Sequence, residues 1–239
     1  TLRVADVTGI AELAAAHGAL LVVDNTFTTP AMFRPMQHGA DIVINSITKF
    51  LAGHSDVTLG YVAAREPGLR TAIYDAAVTW GTTPSPFDCW LAERGLHTFD
   101  LRFEKAQATA AALADALAGR DGIRQVIYPG RADHPHHNRA GTLFGGQFGN
   151  MLSFEIEGGR DEVNSFVMNA GGIPFAPTLG DVGCTLSHPA SSSHRALTTE
   201  GRAALGISEG YFRLSVGIEP PELVLAELDA ALAAVRGES

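Results

Sequence analysis

Two short apolar runs, Ala19 to Asp24 and Asp41 to Asn45, each follow a stretch with helical spacing or a helix stop, and that alternation limits the chain to few architectures. Asp6 is placed to cap a helix in which Ile10, Leu13 and Ala14 share one face, with Gly18 just past its end. The strand Ala19 to Asp24 follows directly. Met32 to His38 predicts a short helix or turn stopped by Gly39, and Gly60 to Ala64 a third strand. Continuous apolar strands between short helices predict a parallel or mixed sheet covered on both faces, hence an α/β layer architecture.

The second part of the chain reads differently. Pro86 to Leu117 is helical, with Phe103, Ala106, Ala110, Leu113 and Leu117 spaced by three and four to make an apolar face. Gly122 to Pro129 predicts a strand and turn, Met151 to Ile156 a strand, and Asp161 to Asn169 a helix stopped by Gly171. Tyr211 to Ile218 predicts another strand and Glu222 to Val235 a closing amphipathic helix. This predicts a smaller α+β domain over residues 97–239, beginning with a long linking helix, after a larger domain that ends near Leu96.

Charge and cysteine content narrow the function. Seventeen basic against 26 acidic residues give a net charge of −9 without long like-charge runs, which argues against nucleic acid or an anionic membrane as partner. Small molecules and other subunits are the expected partners. The two cysteines, Cys89 and Cys184, have no paired spacing, so a reducing, cytoplasmic location is expected and both read as small apolar fillers. No apolar run is long enough to span a bilayer. His134, His136 and His137 read as a solvated loop, with no metal site expected. Gly145 to Gly149 reads as a turn into the strand at Met151, because it does not lie between a strand and a helix as a dinucleotide fingerprint would.

Lys49 is one of only two lysines, the other being Lys105, and it follows a buried strand in Ser46-Ile47-Thr48-Lys49. Arginine cannot lose a proton and attack a carbonyl, whereas a lysine amine can form a Schiff base with an aldehyde. Asp24 closes a strand at the edge where α/β sheets present ligand contacts, and its carboxylate suits a protonated pyridine nitrogen. Ser46 and Thr48 flank Ile47, so in an extended segment both hydroxyls share a face and suit a phosphate. These residue types together call for pyridoxal 5'-phosphate. Arg213 stands alone in the apolar strand Phe212 to Ile218, where its guanidinium fork can grip a carboxylate.

Asp24-Asn25-Thr26-Phe27, Gly39-Ala40-Asp41, Ser46-Ile47-Thr48-Lys49, Gly53-His54-Ser55-Asp56, Ser85-Pro86-Phe87-Asp88, Arg94-Gly95-Leu96, His188-Pro189-Ala190 and Arg213-Leu214-Ser215-Val216-Gly217 stand in one order. In these motifs the chain resembles the Cys/Met-metabolism PLP-dependent enzymes, which include cystathionine γ-lyase, methionine γ-lyase and cystathionine γ-synthase. The resemblance implies the aspartate-aminotransferase-like fold type I. It also implies that Lys49 is the Schiff-base lysine, that Asp24 faces the pyridine nitrogen, that Ser46 and Thr48 hold the phosphate, and that Arg213 and Thr178 bind the substrate carboxylate. It implies homodimers or homotetramers with shared active sites, and an upstream stretch carrying a phosphate loop and a stacking tyrosine.

Three positions depart from the family pattern: Asn45, Thr178 where a serine is usual, and Gly183 where several cystathionine-handling members have glutamate. Loss of that acid favours a small γ-substituent, as in methionine or homocysteine, over cystathionine. The expected reaction is γ-elimination from a sulfur-containing L-amino acid. The alternatives are γ-replacement of the cystathionine γ-synthase or O-acetylhomoserine sulfhydrylase type, and an inactive interaction fragment.

Overall fold

The computed structural model describes residues 1–237 of the chain. Helix α1 (Val7–Ala16) is capped by the Asp6 carboxylate, which accepts from the Gly9 amide. Strand β1 (Val22–Asp24) is shorter than the apolar run that contains it. The Leu21 amide is diverted to the Asp41 carboxylate, so pairing starts one residue later. The one-turn helix α2 (Thr29–Met32) then leads to a 3-10 turn over Pro35–His38, which ends on Gly39 in the left-handed region.

Strand β2 (Ile42–Ser46) pairs parallel with β1 and antiparallel with β3 (Gly60–Ala64), which makes a mixed three-stranded sheet with β2 at its centre. Among the described residues the expected cover on both faces is present on one only. Val43 and Asn45 are buried, whereas Val22, Ile44 and Val62 on the other face are 48%, 39% and 49% exposed. Helix α3 (Pro67–Trp80) follows, with Pro67 in its first turn and Gly81 as its left-handed stop.

The helical stretch from Pro86 is two helices, α4 (Pro86–Leu96) and α5 (Phe99–Leu117). The break has a packing cause. A side chain on Gly95 would meet the Ala52 backbone oxygen at 2.5 Å, so the chain bends where it crosses the loop that follows Lys49. Helix α5 buries Phe103, Ala106, Ala110, Leu113 and Leu117, the expected apolar face.

After α5 come β4 (Ile123–Ile127), α6 (His137–Leu143), β5 (Met151–Ile156), α7 (Arg160–Asn169), β6 (Thr185–Ser187), α8 (Thr199–Ala204), β7 (Tyr211–Ser215) and α9 (Pro221–Val235). The four strands form an antiparallel sheet in the order β4-β5-β7-β6. Its core joins Leu152, Phe154, Phe212 and Leu214 to Leu113, Phe166 and Leu228 of α5, α7 and α9. Burial of large apolar side chains at this scale, each contributing about 1.5–3 kcal/mol, dominates the stability of this layer. A second cluster, Phe50, Leu51, Phe99, Phe103 and Ala106, fastens the loop after Lys49 to α5.

Three sequence expectations need correction. The histidine run is no solvated loop: His134 is buried, the His136 ring accepts from the Val4 amide, and the His137 ring stacks on Phe148. Cys89 is exposed and fills no core. Cys184 is buried but polar in its contacts, donating to the Glu219 carboxylate and accepting from the Gly217 amide. Among the described residues no helix is long and apolar enough to cross a membrane.

Candidate active site

Asp24 ends β1 and Ser46 ends β2, so parallel pairing of Asp24 with Ile44 brings both to one edge of the sheet. A hydrogen-bonded turn links them. One Asp24 carboxylate oxygen accepts from the Thr26 amide at 2.9 Å and the Thr26 hydroxyl at 2.6 Å, and that hydroxyl in turn accepts from the Ser46 amide at 2.9 Å. The other Asp24 oxygen makes no hydrogen bond among the described residues, and Asp24 lines the cavity described below.

Asn25 organises this turn. It is buried, its side chain donates to the Phe33 carbonyl, and its own carbonyl accepts from the Asn45 side chain and from the Thr29 amide. Thr29 sits at a φ of 57°, a left-handed conformation that is costly for a β-branched residue. The surrounding bonds hold a strained turn in place.

Ile47 packs into the Phe50 and Phe103 cluster, which leaves its neighbours Ser46 and Thr48 half-buried on the other side. Thr48 is already engaged. Its hydroxyl donates to the Leu59 carbonyl at 3.1 Å and accepts from the Leu59 amide at 2.8 Å. Lys49 is half-buried, and its Nζ donates to Thr178 Oγ1 at 3.0 Å.

Thr178 belongs to a loop clamped between the two sheets. The Gly180 amide donates to Ser215 Oγ at 2.8 Å, the Val182 amide to the Gly53 carbonyl at 2.7 Å, and Ser55 hydrogen-bonds the Asp181 carboxylate. Gly180 lies against the backbone of Lys49 and Phe50 at a φ of +79°. On the far side, Arg213 Nη2 donates to the Thr178 carbonyl at 3.4 Å. Thr178 therefore touches Lys49 with its hydroxyl and Arg213 with its carbonyl.

Burial lowers the Arg213 pKa from its ordinary value, yet the group stays cationic because arginine does not lose its proton in proteins. Its Nε is buried with no hydrogen-bond partner among the described residues, and its Cζ lies 5.9 Å from the Phe27 ring centroid. A cavity of about 470 Å³ opens beside these groups, lined by Val23, Asp24, Phe27, Asn150, Met151 and Arg213. Lys49, Ser46 and Thr48 lie outside its lining, so the candidate residues form two joined clusters bridged by Thr178 and Arg213.

Two further residues escape a sequence-only reading. Arg102 on α5 is 5% exposed and donates to the carbonyls of Phe50, Leu51 and Gly95 and to Thr98 Oγ1. A guanidinium that binds the backbone of the Lys49 loop and of the last turn of α4 fixes that loop to the helix break. Phe27 is the other; it enters the sequence reading only as the last residue of a motif.

The family described as Cys/Met metabolism PLP-dependent enzyme matches residues 1–233. The chain belongs to this family. It is 40% identical to cystathionine beta-lyase of Bacillus subtilis over 232 residues, which span 97% of this chain and 59% of that protein. It is 39% identical to cystathionine gamma-lyase of Dictyostelium discoideum over 231 residues, again 97% of this chain and 59% of the relative. A crystal structure of cystathionine gamma synthase from Xanthomonas oryzae pv. oryzae superposes with a TM-score of 0.93 at 44% identity, covering 99% of this chain and 61% of that one. The chain thus spans about three-fifths of the length of these relatives, and shares their α/β PLP-dependent fold.

The cofactor of the Cys/Met-metabolism enzymes is pyridoxal phosphate, and the donor set here fits it. A lysine amine with a hydroxyl as its neighbour, a strand-end carboxylate with a free oxygen and a half-buried serine hydroxyl stand along one sheet edge.

Proposed function

We propose that the chain carries the lysine-bearing part of a pyridoxal-phosphate enzyme that eliminates the γ-substituent of a sulfur-containing L-amino acid, methionine or homocysteine in preference to cystathionine. The juxtaposition of Lys49, Thr178 and Arg213 carries this reading: a nucleophilic amine and a carboxylate-gripping fork meet through one residue. Lys49 binds the cofactor aldehyde and, once released, takes the α-proton and relays it between substrate carbons. Asp24 would hold the pyridinium end of the cofactor, and Arg213 would hold the α-carboxylate so that the Cα–H bond is correctly directed. The bound cofactor supplies an electron sink for the charge left at Cα.

Ser46 offers its hydroxyl to the phosphate without losing a bond. Thr48 can donate only once, so it reaches the phosphate by releasing the Leu59 carbonyl while keeping the Leu59 amide. Gly183 supports the small-substituent preference, since it offers no side chain for a distal ammonium. Both acids beside it are engaged: Asp181 accepts from the Gly183 amide at 3.2 Å and from Ser55, and Glu219 from the Cys184 amide at 2.6 Å and the Cys184 thiol.

Residues 1–96 then form the cofactor-binding part and residues 97–239 the smaller part, with α5 as the link. Self-association completes the site: Tyr74, Trp80, Phe87 and Trp90 on α3 and α4 are 69%, 82%, 64% and 55% exposed, more aromatic surface than a lone subunit is expected to leave in water.

The likeness to a cystathionine gamma synthase at 44% identity favours a second reading, γ-replacement, in which a thiol captures the same substrate carbon. Assay of 2-oxo acid from methionine and homocysteine separates the two. Release without a thiol acceptor supports elimination; product only when cysteine is added supports replacement; no turnover of any thioether or acylated homoserine supports an inactive interaction fragment.

A further inference from the structure

Arg213 is an unusual cation for its surroundings. It is buried enough for desolvation to lower its pKa, its Nε has no partner, and it forms no ion pair among the described residues. A buried charge normally acquires a carboxylate partner. Here the position beside the guanidinium is taken by the Phe27 ring, 5.9 Å from Cζ to centroid. An aromatic face attracts a cation through its quadrupole yet presents no charge of its own. It can hold the fork in place and leave the positive charge uncompensated.

The turn that carries Phe27 is built for placement. Asn25 bonds it to β2 and to the Phe33 carbonyl, Thr29 holds a strained φ of 57° at its end, and Asp24 begins it. Phe27 and Asp24 are therefore spaced by one rigid turn, one beside the substrate-facing guanidinium and the other at the end of β1. Both line the same 470 Å³ cavity.

We infer that Phe27 is a positioning residue that selects for the substrate α-carboxylate: its ring, in place of a carboxylate, holds the buried Arg213 guanidinium ready for an incoming anion. This rests on the reading above in which Arg213 takes that carboxylate. An acidic residue at position 27 would neutralise the fork, and an aliphatic one would leave it without a partner on that side.

The test compares binding of glycine with binding of glycinamide, which lacks the anionic carboxylate, to the intact protein loaded with pyridoxal phosphate, by calorimetry rather than turnover. Phe27 is 42% exposed, so its replacement leaves the core intact, and melting curves confirm folding. For Phe27→Leu the glycine dissociation constant should rise roughly threefold to thirtyfold while that for glycinamide stays unchanged, and Phe27→Tyr should restore glycine binding. An equal loss for both probes, or no loss in Phe27→Leu while Arg213→Met weakens glycine, overturns the role of Phe27 alone. If Arg213→Met leaves the glycine-to-glycinamide ratio unchanged, the carboxylate assignment itself falls and the inference with it. If Phe27→Leu does not fold, Phe27→Met serves with the same outcomes.

Discussion

Lys49 Nζ and Thr178 Oγ1 lie 3.0 Å apart although they are 129 residues distant in sequence, and this bond joins the first sheet to the loop that leads into the second. The bond would orient the amine whenever Lys49 is not joined to a cofactor aldehyde. A hydroxyl is a suitable partner because it orients a lysine without the strong stabilisation of positive charge that a carboxylate would impose.

Replacing Lys49 with Ala should lower kcat by roughly a hundredfold to ten-thousandfold, the usual contribution of a proton-transferring side chain. Borohydride reduction of the unsubstituted protein followed by peptide mapping should find the cofactor on Lys49. Recovery of the label on Lys105 would contradict the assignment.

Thr178→Val keeps the shape and removes the hydroxyl, so kcat/KM should fall by about tenfold, in line with a hydrogen bond to a charged group. Thr178→Ser should stay within about threefold. A loss in Thr178→Ser with none in Thr178→Val would mean that the methyl group, not the hydroxyl, matters.

Gly180→Ala should destabilise the fold by about 1–3 kcal/mol, because a Cβ there would stand 2.5 Å from the Phe50 amide nitrogen at a φ of +79°. Relief of that clash pushes the loop away from Lys49, so KM should rise as well. Urea unfolding and steady-state kinetics measure the two effects separately.

His188 supplies a pH signature. Its Nε2 donates to the Glu209 carbonyl at 2.6 Å and its Nδ1 lies 2.8 Å from Ser191 Oγ, an arrangement for the neutral ring. Burial holds its pKa below the ordinary 6.5, and Arg160 and Arg202 act in the same direction. A depressed value in the fold means that the unfolded chain binds the proton first. Stability is therefore kept above pH 6.5 and lost as pH falls through the folded value, with a slope of at most about 1.4 kcal/mol per pH unit for one proton. Urea midpoints measured between pH 7.5 and 5 should fall, and His188→Gln should flatten part of that decline; an unchanged slope would remove His188 from the account.

Cys184 and Cys89 should differ sharply toward a thiol reagent. Burial, with Glu219 beside it, pushes the Cys184 thiol up to about 12, whereas Cys89 is exposed. One equivalent should react in the native protein at pH 8 and a second only after unfolding.

Much of the fold was legible because its strands and helices obey their own periodicities. Asp6, Gly39 and the apolar face of α5 announced their elements locally. Helix α3 is not legible in the sequence because its apolar residues make no buried stripe; Tyr74, Val78 and Trp80 are exposed, although Pro67 and Gly81 mark its ends. Strand β6 is three residues long and owes its form to pairing with β7, which no local pattern reveals. The split between α4 and α5 depends on Gly95 meeting Ala52, a contact absent from any helical pattern.

The site divides in the same way. Asp24, Ser46 and Lys49 lie in one short segment, and their chemistry is visible in it. Thr178 emerged from likeness to relatives, and its contact with Lys49 depends on the folding of a distant loop. The pairing of Phe27 with Arg213 and the grip of Arg102 on Phe50 and Leu51 exist only after both sheets are in place.

Arg102 makes that dependence mechanical. One side chain knots the segment just beyond Lys49 to the rod that supports the second sheet, and it does so through peptide oxygens that mutation cannot remove. Warming that loosens this knot should free the lysine arm and part the two halves at the same temperature, so inactivation and melting should trace a single curve.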